Sequence, residues 1–321
     1  MRPPVSSRPL RLLVAALALA ATFAPSRAGE VRVNITGTTL TGSFSPRTIN
    51  CNAGDHVVFV WSSGEHTSTS GDSSTGTADT PNHWDTPIMI TTGTNTPAFS
   101  WHSTVPEVVP FFCALHAPPM AGHVFVGSGI AVADFRLSEV QYNEASGFDK
   151  IEITNLGTVL GDLGRYRIAA GATAVGIAVT NVPLSPGATL TIHTNESGTN
   201  TSTDMYLPAI GPLGGAAGSV ALYAPNTVNT ALTDPTQVID FVEWGSGGQV
   251  NEATAVAASV WTAGVAAPLV AVGHSIEFCG SAAQHAGAWF ESTPSFSGAP
   301  GNCGVTPARA TTWGRIKTLY R

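Results

Sequence analysis

The chain has 321 residues, of which 11 % are charged and 43 % hydrophobic, with 34 glycines and 22 prolines. That length leaves room for two ordinary domains, and the composition excludes both a disordered acidic chain and a helix bundle rich in Lys, Glu and Arg. The formal net charge of −7 already disfavours a nucleic-acid partner.

Arg2, Arg8 and Arg11 precede an apolar run from Leu12 to Ala24, followed by the small residues Ser26 and Ala28. A basic start, a short apolar run and small residues at the exit predict a secretory signal peptide over 1–28, cut near Ala28. The run is too short for a comfortable bilayer span, so no integral span is expected after cleavage. Cleavage removes four of the 14 basic residues and no acid, which leaves a net charge of −11. The protein is therefore expected to be exported: periplasmic, secreted or at the cell surface. No nucleic acid is expected as partner, and the cysteines meet an oxidising compartment.

Beyond the leader, short apolar runs between Gly, Pro, Ser and Thr clusters predict an all-β protein of two β-sandwich domains, over 29–127 and 128–304. Val31 to Ile35 alternates with period two, Thr48 to Cys51 leads into the turn Asn52–Asp55, and Val57 to Trp61 is a continuous apolar strand. Phe99–Trp101 and Val124–Val126 are further strands, while the polar stretch Ser68 to Asn95 reads mostly as loop.

Between two apolar strands stand Cys113, His116 and Met120, a thiolate, an imidazole and a thioether within eight residues. Two His, one Cys and a weak axial Met are the ligand set of a blue-copper site. Cys113 ends one strand, and a loop stiffened by Pro118 and Pro119 turns His116 and Met120 back toward it. The second imidazole is assigned to His66, which follows the Val57–Trp61 strand. His123 is the rival ligand. His56, His83, His102 and His123 otherwise read as solvent-facing, and Cys51 as a buried free thiol. A Cys51–Cys113 disulfide is the alternative that removes the metal. Four protein ligands leave no open coordination position, which favours an electron carrier over an enzyme. The chain holds no His-x-His pair, against a multicopper oxidase.

Residues 31–127 resemble a cupredoxin of the plastocyanin and azurin type. The likeness rests on Phe44-x-Pro46, Ala53-Gly54-Asp55-x-Val57, His66-Thr67, Cys113-x-x-His116 and Met120-x-Gly122-x-Val124-x-Val126. It implies a Greek-key sandwich and one mononuclear type 1 copper on His66, Cys113, His116 and Met120. It also implies that His116 is the electron port. The step from His116 to Met120 is one residue shorter than in plastocyanin.

Gly127-Ser128-Gly129 is a natural joint, and new alternations begin at Phe135, Lys150, Thr189, Ser219 and Val238. Ser138-Glu139-Val140, Lys150 to Asn155, Leu184-Ser185-Pro186-Gly187 and Val238 to Gly245 resemble, in order, a lamin-tail domain. That likeness implies an immunoglobulin-like sandwich used for interaction. Asn251 to Ala267 is expected to be a short helix or an insertion. Cys279 and Cys303 are expected to form a disulfide, worth about 3 kcal/mol for such a loop. His193, His274 and His285 show no ligand spacing. The tail 305–321 is basic and aromatic, a sorting or surface-attachment signal or else a frayed end or a strand packed on the acidic body.

The sequence therefore predicts an exported blue-copper protein that transfers single electrons to or from an unidentified redox protein. The alternatives are a cell-surface structural or adhesive protein using the cupredoxin fold as scaffold, or copper sequestration.

Overall fold

The computed structural model describes residues 29–296 except 39, 81, 93–94, 179–180 and 280–287. The expected signal peptide, the tail, His285 and Cys303, and with it the Cys279–Cys303 bridge, lie outside the described residues.

The chain is all-β, as its composition predicts. The first sandwich contains β1 (Glu30–Gly37), β2 (Gly42–Ser45), β3 (Thr48–Asn52), β4 (His56–Trp61), β5 (Glu65–His66), β6 (Thr69–Asp72), β7 (Thr77–Ala78), β8 (Met89–Ile90), β9 (Ala98–His102), β10 (Glu107–Phe112) and β11 (Ala121–Gly127). One sheet has the order β2-β1-β4-β9, the other β3-β11-β10-β6-β7, and β5 pairs with β8. The pairs β1/β4 and β3/β11 are parallel, so neighbours in the sheets are distant in sequence.

Alternation selects the inner faces. Val33 and Ile35 are buried while Asn34 is exposed, and Val124 and Val126 are buried while His123 and Phe125 are exposed. Phe44, Phe59 and Phe111 meet edge to face in the core, with ring centroids 4.8 to 6.5 Å apart. Strand β4 is buried on both faces, which is why it reads as an unbroken apolar run. Val57, Phe59 and Trp61 face the core, whereas Val58 and Val60 form a separate cluster with Ala98. Thr227 of the second sandwich donates its backbone N–H to Ala98 at 2.8 Å on that outer side.

The stretch Ser68 to Asn95 departs from the loop expected of it, since it holds β6, β7 and β8 and sends Trp84 and Met89 into the core. Its polar strand residues are buried on hydrogen bonds. Ser70 Oγ donates to the Trp84 carbonyl at 2.8 Å, and Trp84 Nε1 donates to Ser68 Oγ at 2.9 Å.

The second sandwich contains β12 (Phe135–Gln141), β13 (Lys150–Asn155), β14 (Gly161–Asp162), β15 (Arg167–Ala170), β16 (Thr173–Gly176), β17 (Pro183–Leu184), β18 (Thr189–Thr194), β19 (Asp204–Leu207), β20 (Gly218–Tyr223), β21 (Val238–Trp244), α1 (Glu252–Ala257), β22 (Ser275–Phe278) and β23 (Trp289–Ser292). A six-stranded sheet β19-β18-β13-β12-β22-β23 faces a four-stranded sheet β16-β15-β20-β21. Leu137, Ile151, Ile153, Ile192, Leu222 and Phe241 fill the space between them, and Tyr142 stacks on Trp244 at 4.3 Å.

Charged groups cross the junction between the sandwiches. Arg32 of β1 pairs with Glu30 at 3.1 Å and with Asp162 at 2.7 Å, and the Tyr166 hydroxyl donates to Glu30. Glu30 and Tyr166 are buried, so removing the cation strands a buried carboxylate. Arg32→Ala is expected to cost about 3 kcal/mol. A lowered chemical-denaturation midpoint checks it.

Inside the second sandwich, burial pushes the Asp240 carboxyl up to about 7 against the pull of Arg136 and two backbone N–H groups. Burial likewise pushes Glu243 up to about 7. Acids whose folded value is raised contribute stability that is full below the ordinary carboxylate range and lost as pH climbs through the folded value. The thermal midpoint is therefore expected to fall from about pH 4 up to about pH 7 and to level off above it. An Asp240→Asn variant should flatten that fall in a thermal scan.

Candidate metal centre

Two loops at one end of the first sandwich bring the candidate ligands together. Beyond β4, a turn through Gly64 with φ of 80° leads into β5, where His66 pairs with Met89. Trp61 Nε1 donates to the His66 carbonyl at 2.8 Å, which ties the end of β4 to the backbone of that histidine. Beyond β10, the loop from Cys113 to Met120 is closed by its own backbone. Cys113 N–H bonds Met120 at 3.0 Å, His116 N–H bonds Cys113 at 3.0 Å, and Met120 N–H bonds His116 at 3.2 Å.

The donor atoms converge. His66 Nδ1 and His116 Nδ1 stand 3.2 Å apart, Cys113 Sγ is 3.3 Å from His116 Nδ1, and it is 3.9 Å from His66 Nδ1. Three donors set about 2.0–2.3 Å from one ion in a trigonal array lie roughly 3.5–4 Å apart. The observed edges match that triangle to within a few tenths of an ångström. Among the described residues this is the only group of three His, Cys, Asp or Glu side chains so gathered. Met120 is fully buried, and its Sδ lies beside His66, since a Cβ built on Gly42 would overlap both Met120 Sδ and His66 Cε1. Gly42 therefore leaves the space in which thioether and imidazole sit together.

The surroundings suit a soft cation. Cys113, His66 and Met120 are each 0 % exposed, and His116 alone reaches the surface. Thr67 N–H points at Cys113 Sγ at 3.4 Å, and Thr67 Oγ1 accepts from Ala114 N–H at 2.8 Å. Burial, and then the neighbouring His116, hold the His66 imidazole below its usual value, with the Ser63 backbone acting the other way. A neutral ring offers Nδ1 as a lone pair. Cysteine, two imidazoles and a thioether fit copper.

The remaining expectations divide. Cys51 and Cys113 are both free thiols, which overturns the alternative bridge between them. Burial, and then Asp55, push the Cys51 thiol up to about 12, so it behaves as the inert buried residue expected. His123 is exposed on β11 opposite Pro110, outside the donor group. His56 is not solvent-facing but 3 % exposed, and His102 and His83 are half-buried. His83 is held between Asp79 at 2.7 Å and Glu107 at 2.9 Å. The role of Gly42, which opens β2, had no signal in the sequence, and Thr67 entered only through the His66-Thr67 likeness, which gives its N–H no role.

No family model matches the chain, and no curated protein matches it. Solved structures do. A reduced Cu(I) form of an amicyanin variant aligns at 21 % identity and a TM-score of 0.23, over 30 % of this chain and 82 % of its own. Auracyanin A, a "blue" copper protein from Chloroflexus aurantiacus, aligns at 17 % identity and a TM-score of 0.25, over 31 % of this chain and 100 % of its own. A mutant fern plastocyanin aligns at 18 % identity and a TM-score of 0.23, over 30 % of this chain and 99 % of its own. These neighbours are cupredoxins.

Proposed function

We propose that the protein is an exported blue-copper electron carrier whose second sandwich serves for surface interaction. The observation that carries this reading is the triangle of His66 Nδ1, His116 Nδ1 and Cys113 Sγ, with edges of 3.2, 3.3 and 3.9 Å, beside the buried Met120. Copper, when bound, supplies a Cu(I)/Cu(II) one-electron couple.

The chain's own groups do the rest. The three backbone hydrogen bonds of the Cys113–Met120 loop hold the donors in one arrangement, which keeps reorganisation small between oxidation states. Thr67 N–H draws charge from the thiolate and so favours the reduced form. Burial of three of the four side chains excludes water, and the set leaves no position for a substrate. His116 reaches the surface among the exposed Leu115, Pro118 and Pro119, an apolar rim through which a redox protein would approach the ring.

Titration of the purified mature protein with Cu(II) tests the reading. An intense visible absorption that bleaches reversibly on reduction supports it. A protein that stays colourless is a scaffold, as an adhesive role requires. Tight Cu(I) binding without reversible oxidation assigns it to sequestration.

A further inference from the structure

A second pair of histidines lies at the opposite end of the same strand. His56 opens β4, His102 closes β9, and the strands place them directly opposite one another. Their ring centroids are 5.1 Å apart at a tilt of 44°. The His66 and His116 rings, which bring two nitrogens to 3.2 Å, have centroids 4.8 Å apart at a tilt of 51°. The two pairs thus share a similar ring separation and tilt. Roughly 16 Å of strand separates His56 from Trp61, so the second pair is not an extension of the first centre.

Both rings line a cleft of about 1160 Å³ between the sandwiches, with Asp134, Arg136 and Thr236 on its other walls. His56 is 3 % exposed, yet its Nδ1 has no hydrogen-bond partner among the described residues. A buried polar atom left so is costly to a fold that makes no use of the ring. The Thr236 backbone lies against the His102 ring, the kind of contact that fixes the tautomer of a metal-binding imidazole. Burial holds both rings below the usual imidazole value; at His56, His102 and then Arg136 add to it. Both are therefore neutral and carry lone pairs near pH 7. The Arg136 charge is itself paired with Asp134 at 2.6 Å, which weakens its opposition to a cation.

We propose that His56 and His102 form a second metal site, a two-imidazole clamp that takes a divalent ion of the Cu(II) type, with water from the cleft completing its coordination. Imidazole suits copper, nickel and zinc, and Cu(II) binds such donors most tightly among them. The proposal does not rest on the reading of the Cys113 centre.

The test is titration of the full mature chain with Cu(II) alone, followed by visible absorption and electron paramagnetic resonance. The expected result is a copper signal with wide hyperfine splitting and weak visible absorption, separate from any intense charge-transfer band. His102→Gln, at a half-buried position, should weaken that uptake at least about tenfold while leaving the intense band and the unfolding midpoint unchanged. His56→Gln should do the same to the uptake. Absence of the wide-splitting signal overturns the proposal. So does its persistence at unchanged affinity in both variants, which would assign it to exposed histidines such as His123. Loss of the intense band in the wild type, with the second signal present and sensitive to His102→Gln, would sink the first reading and keep this one.

Discussion

Cys113→Ser is expected to abolish the intense visible absorption of the copper-loaded protein altogether. That absorption requires a thiolate bound to the ion, and Cys113 supplies the only sulfur among the three converging donors. A serine oxygen can still accept from Thr67 N–H, which now points at Sγ from 3.4 Å, so the fold should lose no more than about 1 kcal/mol. Loss of colour with an intact unfolding transition is thus a statement about ligation. Met120→Leu is the informative partner. It keeps nearly the same buried volume, removes only the weak axial sulfur, and should keep the absorption while raising the potential. If Cys113→Ser retains its colour, or if Met120→Leu alone loses it, the ligand set is wrong.

How much of this was legible beforehand depended on whether the signal was local. Cys113, His116 and Met120 share one loop, so their spacing already carries the chemistry. His66 could be placed because it follows an apolar strand that must end near the same rim. Period-two alternation made β1 and β11 readable for the same reason. The sequence around His56 reads as solvent-facing because its burial is supplied by residues far along the chain. Arg136 and Val238 of the second sandwich close the cleft over it, and nothing beside Val57 announces them. Arg32 looks like the outward residue of an alternating strand, and it is outward, but Asp162 is waiting there. The polar strand β6 was hidden because Thr69 and Ser70 are buried on hydrogen bonds instead of apolar contacts. The same holds for the aligned Glu152, Glu139 and Glu277 of β13, β12 and β22, all nearly inaccessible. Glu139 accepts from Ser275 at 2.5 Å, a partner 136 positions away, and no window of sequence can show that.

Gly42→Ala should damage the centre from a residue that donates nothing to it. The added methyl would fall on Met120 Sδ and His66 Cε1, and both side chains are fully buried. The imidazole cannot step aside easily, since the His66 backbone is tied to Trp61 Nε1 at 2.8 Å and Gly64 packs against Nε2. Met120 has more freedom, but its backbone is locked to Cys113 and His116. Overpacking of this kind costs about 1–3 kcal/mol, and here the strain falls on two of the four candidate ligands. The expected outcome is a Cu(II) affinity at least about tenfold weaker and a shifted charge-transfer band. Gly176→Ala, where an added Cβ meets nothing within 4 Å, serves as the control and should change neither. A Gly42→Ala protein with wild-type affinity, spectrum and unfolding midpoint would mean that Met120 and His66 do not share the space the geometry gives them, and the axial assignment of Met120 would go with it.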